Sequence, residues 1–117
     1  MSKLKEILRK KEERKAKLQA SLDTIVNQLK DIGALKVILF GSLAKGDVDV
    51  DSDLDLFVVM PPTRRGKEWM DTIYENVDRK IASEIIVYNQ KELLEQLPTS
   101  SFLQNILKGK VVYEKAA

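Results

Sequence analysis

Asp47, Asp49, Asp51, Asp53 and Asp55 occupy every second position of a segment that runs from a glycine-containing turn into an apolar strand. Carboxylates this dense repel one another, and those drawn into a buried strand also lose hydration. Something cationic is needed at the buried end of the run, and a divalent metal carrying a phosphorylated substrate meets that need. Alternation along a strand puts Asp53 and Asp55 on one face, about 6.5–7 Å apart along the backbone, where two carboxylates can bridge or chelate divalent cations. Just upstream, Gly41 permits close backbone approach, and the Ser42 hydroxyl with nearby amides can hold phosphate oxygens.

Two better-known motifs fail on inspection. Gly41 and Gly46 follow a strand at P-loop spacing, but Asp47 and Val48 stand where that loop needs Lys and Ser or Thr. Asp49-x-Asp51-x-Asp53 imitates the start of a calcium loop, yet Leu54 replaces its sixth-position glycine and Met60 its final glutamate.

The elements that must position these residues can be read from periodicity. Leu18, Leu22, Ile25, Val26 and Leu29 recur at helical spacing, and Gly33 ends the run. With Leu4, Ile7 and Leu8 starting a similar stripe, one helix from about residue 3 to 31 is expected, its first half overhanging a small domain as a docking surface. Apolar runs predict strands at 35–40 and 54–60, the second ended by Pro61-Pro62. Trp69, Ile73 and Val77 mark a helix extending to about Arg79, with Trp69 expected in the core. Residues 81–88 read as a third strand whose only charge is Glu84. A helix is expected over 91–97. Another surrounds Phe102–Leu107, with Ser101 and Gln104 as a capping box, and residues 111–113 add an edge strand. This order predicts one α/β (α+β) domain over 1–117: a small mixed sheet with helices packed against it, residues 1–17 forming a basic helical extension.

Composition narrows the chemistry. The 117 residues contain no cysteine and no histidine, which excludes disulfides, thiolate or imidazole zinc sites and a Ser-His-Asp triad. Any metal must take oxygen ligands, as magnesium, manganese and calcium do. The longest apolar runs are too short to cross a bilayer and no secretory leader is apparent, so a cytoplasmic location without membrane partners is expected. Net charge is +2, but residues 1–17 carry eight Lys/Arg against three Glu, and the remainder is acidic. The basic end suits an acidic partner, or is a solvated helix start. An acidic body argues against a dedicated nucleic-acid binder. Arg64 and Arg65 read as exposed residues at a helix start, and no spacing gives Tyr74, Tyr88 or Tyr113 a role.

The pattern Gly41-Ser42-x10-Asp53-x-Asp55 resembles the signature of the nucleotidyltransferase superfamily that includes DNA polymerase beta. The short chain looks like the minimal nucleotidyltransferases of prokaryotes. The resemblance implies a polymerase beta-like fold in which Gly41 and Ser42 grip ATP or another nucleoside triphosphate, with Lys45 as a further phosphate contact. It also implies that Asp53 and Asp55 bind Mg2+, or Mn2+, as catalytic metal ligands. A third carboxylate belongs on a later strand; Glu84 is the candidate, although many members carry Asp there. The minimal class is paired with HEPN-domain proteins, often toxins, so the expected role is an antitoxin that transfers AMP to a hydroxyl of that partner. The alternative is a non-catalytic antitoxin or nucleotide-binding subunit acting by occlusion. The overhanging helix would serve docking or homo-oligomerisation.

Overall fold

The computed structural model describes residues 2–78 and 81–116. Its longest element is α1, Lys3–Ile32, capped by Ser2, whose side chain accepts the Lys5 N–H at 3.2 Å. The helix ends where the Gly33 N–H donates to the Leu29 and Lys30 carbonyls. Its stripe of Leu18, Leu22, Ile25 and Leu29 is buried. Fully burying each such side chain contributes about 1.5–3 kcal/mol, so packing rather than propensity holds this half of the helix.

The chain then forms β1 (Lys36–Phe40), a short helix α2 (Gly41–Lys45) and β2 (Leu54–Met60). After α3 (Gly66–Asn76) come β3 (Ser83–Asn89), α4 (Gln90–Gln96), a 3₁₀ turn over Leu97–Thr99, α5 (Ser101–Ile106) and β4 (Lys110–Glu114). The four strands lie in the order β3-β2-β1-β4; β2 runs parallel to β3, and β1 is antiparallel to both β2 and β4. This is the mixed sheet expected from the order of elements.

Helices cover both faces of the sheet. Leu54, Leu56, Val58 and Met60 of β2 join Ile85 and Val87 of β3 against α1 and α3, where Trp69 and Ile73 are buried. Trp69 is therefore a core residue, and its Nε1–H donates to the Pro61 carbonyl at 3.0 Å. On the other face Phe57 and Val59 pack with Ile38 under Leu103 and Ile106 of α5. A central strand buried on both sides reads as a continuous apolar run, which is why β2 was visible in the sequence.

Several boundaries differ from expectation. Helix α2 was read as a turn, because five residues opened by glycine carry no periodic signal. Helix α3 starts before Trp69 and stops at Asn76; the expected end near Arg79 falls outside the described residues. Strand β3 begins at Ser83; before it, among the described residues, a single bond from the Leu54 N–H to the Ala82 carbonyl at 3.1 Å joins the two strand segments. The cap of α5 is Ser100, which accepts the Leu103 N–H, while the Gln104 amide donates to the Leu97 and Pro98 carbonyls. The expected Ser101–Gln104 capping box does not form, because the 3₁₀ turn brings those carbonyls within reach of Gln104.

Candidate active site

The acidic residues gather where β1 ends and β2 begins. Antiparallel pairing sets Phe40 opposite Asp55, and parallel pairing sets Asp55 beside Glu84. Asp55 has the parity of Phe57 and Val59, and Glu84 that of Ile86 and Tyr88, so both lie on the sheet face that carries α5. Asp53, just before β2, has the same parity. The strand register thus sets Asp55 beside Glu84, with Asp53 two residues before Asp55 in the chain.

Gly41 is what lets Asp55 meet the turn after β1. Its φ is +74°, and a Cβ built there would collide with Asp55 Oδ2 and lie 2.9 Å from Asp55 Cγ. The space a side chain would need is filled by the Asp55 carboxylate, so the start of α2 and the aspartate lie in contact. Ser42 follows in the first turn of α2, and its carbonyl accepts the Asp47 N–H at 2.9 Å. Lys45 closes the helix, exposed, and lines with Gly41, Lys108 and Lys110 an open cavity of about 600 Å³.

The electrostatics match this crowding. Asp55 has its carboxyl pKa raised above 3.8, first by burial, then by the charge of Glu84, then by that of Asp53. All three causes disfavour a bare carboxylate, and a bound cation would offset them. Among the described residues, no group of three or more carboxylates stands close enough to hold a metal ion unaided. That fits a magnesium-type ion, which is bound by one or two carboxylates and completes its octahedron with water and substrate phosphates. The oxygen-only donor set and the cradle at Gly41 fit the same group; Asp53 and Asp55 would be the ligands, and Glu84, exposed on its strand, stands beside them.

The other aspartates occupy the loop between α2 and β2, where Asp47, Asp49 and Asp51 are exposed. The Asp49 N–H donates to Ser52 Oγ at 2.7 Å, and its carboxylate stands 4.0 Å from Lys11 Nζ. Arg64 and Arg65 lie away from this cluster. The guanidinium of Arg64 stacks 4.8 Å from the Trp69 ring, and Arg65 Nε donates to Glu68 Oε1 at 3.0 Å. Tyr88 packs on Phe57 and Tyr113 lies under Lys30.

One residue at the site escaped sequence reading. Arg14 of α1 donates from Nε to the Ser52 carbonyl at 2.8 Å and places Nη2 3.7 Å from Asp53 Oδ1. A charged residue amid charged neighbours looks solvated in sequence. The available signal was position: counting back from Leu29, Ile25, Leu22 and Leu18 at helical spacing, the same face continues through the half-buried Arg14 and Lys11.

Comparison with protein families matches residues 22–113 to the model described as Nucleotidyltransferase domain. Neither the curated proteins nor the solved structures gave a match.

Proposed function

The chain belongs to the nucleotidyltransferase domain family, and on that premise we propose that it is a metal-dependent enzyme that moves AMP from ATP onto a hydroxyl of a partner protein. The single observation that carries the reading is the contact of Gly41 with Asp55. It sets the proposed phosphate-binding turn directly against a carboxylate whose ionised form is disfavoured by burial and by the charges of Glu84 and Asp53.

The residues divide the work as follows. Gly41 and the Ser42 hydroxyl orient the phosphate chain, and Lys45 adds positive charge beside them. Asp53 and Asp55 would hold Mg2+, or Mn2+, with Glu84 as the third carboxylate; the bound metal supplies Lewis acidity toward the triphosphate and the acceptor oxygen. The acceptor oxygen attacks the α-phosphorus in line, the bond to the bridging oxygen breaks, and pyrophosphate departs. With no histidine in the chain, the hydroxyl proton passes to the Glu84 carboxylate, whose exposure lets it return the proton to water.

For the acceptor we propose an HEPN-domain protein, with this chain as its antitoxin. The free end of α1 supports a protein partner. Leu4, Ile7 and Leu8 are 66, 46 and 52 % exposed at i, i+3, i+4 spacing on a strongly basic segment, the pattern of a helix that lies in an apolar, acid-rimmed groove. A second reading, neutralisation by occlusion without transfer, is favoured by one observation: the third carboxylate is Glu84, exposed on its strand, where many relatives carry Asp.

Intact-mass measurement on both chains after incubation with ATP and Mg2+ tests the proposal. AMP added to the partner by wild type and not by Asp53→Asn supports transfer. An unmodified but silenced partner in a stable complex would replace it with occlusion.

A further inference from the structure

The geometry points to Arg14 as a positioning residue of the active site, holding the Ser52–Asp53 turn so that Asp53 faces its metal. Arg14 precedes the family-matched span of residues 22–113. It reaches the site because α1 is a single unbroken helix from Lys3 to Ile32, anchored by the buried Leu18 just beyond it. Its side chain is 23 % exposed, against 57 % for Asp53.

The two contacts differ in kind. The 2.8 Å bond from Nε to the Ser52 carbonyl is a hydrogen bond to backbone, made at the last residue before Asp53. The 3.7 Å separation of Nη2 from Asp53 Oδ1 is an ion pair without a direct hydrogen bond. One planar guanidinium therefore grips the main chain and leans on the carboxylate with a neighbouring nitrogen, a span suited to the rigid fork of arginine and poorly served by an ammonium. The loop from Asp47 to Asp53 contains no strand or helix of its own, and its charges repel. Of its side-chain tethers to α1, the contact at Arg14 is shorter than the 4.0 Å pair between Lys11 and Asp49. Partners of metal-binding carboxylates that sit outside the coordination sphere commonly contribute a factor of about 10–100 in metal affinity by fixing ligand orientation. Arg14 stands in that relation to Asp53.

This inference rests on the reading of Asp53 as a metal ligand, and its test separates the two. Mn2+ binding to the full chain, with a non-hydrolysable ATP analogue present, is measured by electron paramagnetic resonance for wild type, Asp53→Asn, Arg14→Gln, Arg14→Lys and Lys11→Gln. Amide hydrogen exchange across residues 47–53 is followed on the metal-free proteins. Arg14→Gln is expected to weaken Mn2+ binding about tenfold and to speed exchange in the loop, Arg14→Lys to recover only part, and Lys11→Gln to match wild type. Tighter binding by Arg14→Gln would mean that the guanidinium competes with the metal, and would overturn positioning. So would unchanged affinity together with unchanged exchange. If wild type binds no Mn2+, the metal reading falls first, and the exchange data still decide whether Arg14 holds the turn.

Discussion

Replacing Gly41 by alanine sets two costs against each other that the structure allows to be separated. Gly41 and Gly46 flank α2 with nearly equal backbone angles, φ +74° and +72°. Around Gly46 a built Cβ meets nothing within 4 Å, whereas at Gly41 it runs into the Asp55 carboxylate. Gly46→Ala therefore carries only the left-handed backbone cost, about 1–2 kcal/mol. For a domain of this size that is a fall in Tm of about 4–8 °C. Gly41→Ala carries the same cost and must also push Asp55 off its rotamer, about 0.5–1.5 kcal/mol more. The extra loss of stability is small, but the functional loss is not, because the displaced group is the carboxylate proposed to hold the metal. Thermal unfolding with and without Mg2+ and a non-hydrolysable ATP analogue is the assay. Gly46→Ala is expected to keep the wild-type rise in Tm on adding ligand, and Gly41→Ala to lose it. A Gly41→Ala protein that responds to ligand as Gly46→Ala does would refute the contact on which the site is built.

Other expectations follow from the same geometry. Saturating Mg2+ and nucleotide analogue, at about 100 times Kd, should stabilise wild type by about 2.7 kcal/mol and leave Asp53→Asn unmoved; denaturant titration reads both. The folded protein raises the pKa of Asp55, so it binds more protons than the unfolded chain, and metal-free stability should fall as pH rises from about 3.8 through the raised value. Asp55→Asn removes that penalty, so its metal-free Tm at neutral pH should exceed that of wild type while its Mg2+ response disappears. Ser100→Ala should cost about 1 kcal/mol as the loss of a true cap, and Ser101→Ala less than about 0.5 kcal/mol, which chemical unfolding resolves.

What could be read in the sequence is what local physics writes there. The apolar runs of β1 and β2, the stripe of α1 from Leu18 to Leu29 and the Gly41-Ser42-x10-Asp53-x-Asp55 spacing are short-range patterns, and the mixed sheet and the family followed from them. Helix α2 was hidden because five residues are too few to show a helical period, and the cap of α5 moved by one residue because a neighbouring 3₁₀ turn offered Gln104 better partners. Arg14 was invisible for a different reason. Its partners lie on a loop 38 residues away, and the sequence distinguishes no long-range tether from a solvated charge.

The parallel pairing of β2 with β3 has a consequence for the order in which this protein folds. Asp53 and Asp55 are neighbours in the chain and repel each other even when it is unfolded. Glu84 joins them only when β3 docks beside β2, after the whole segment containing α3 has crossed over. The added repulsion is therefore felt at a single non-local event, the kind of closure that limits folding rates. Neutralising Glu84 should speed refolding to the extent that this pairing is formed in the transition state, and otherwise slow unfolding.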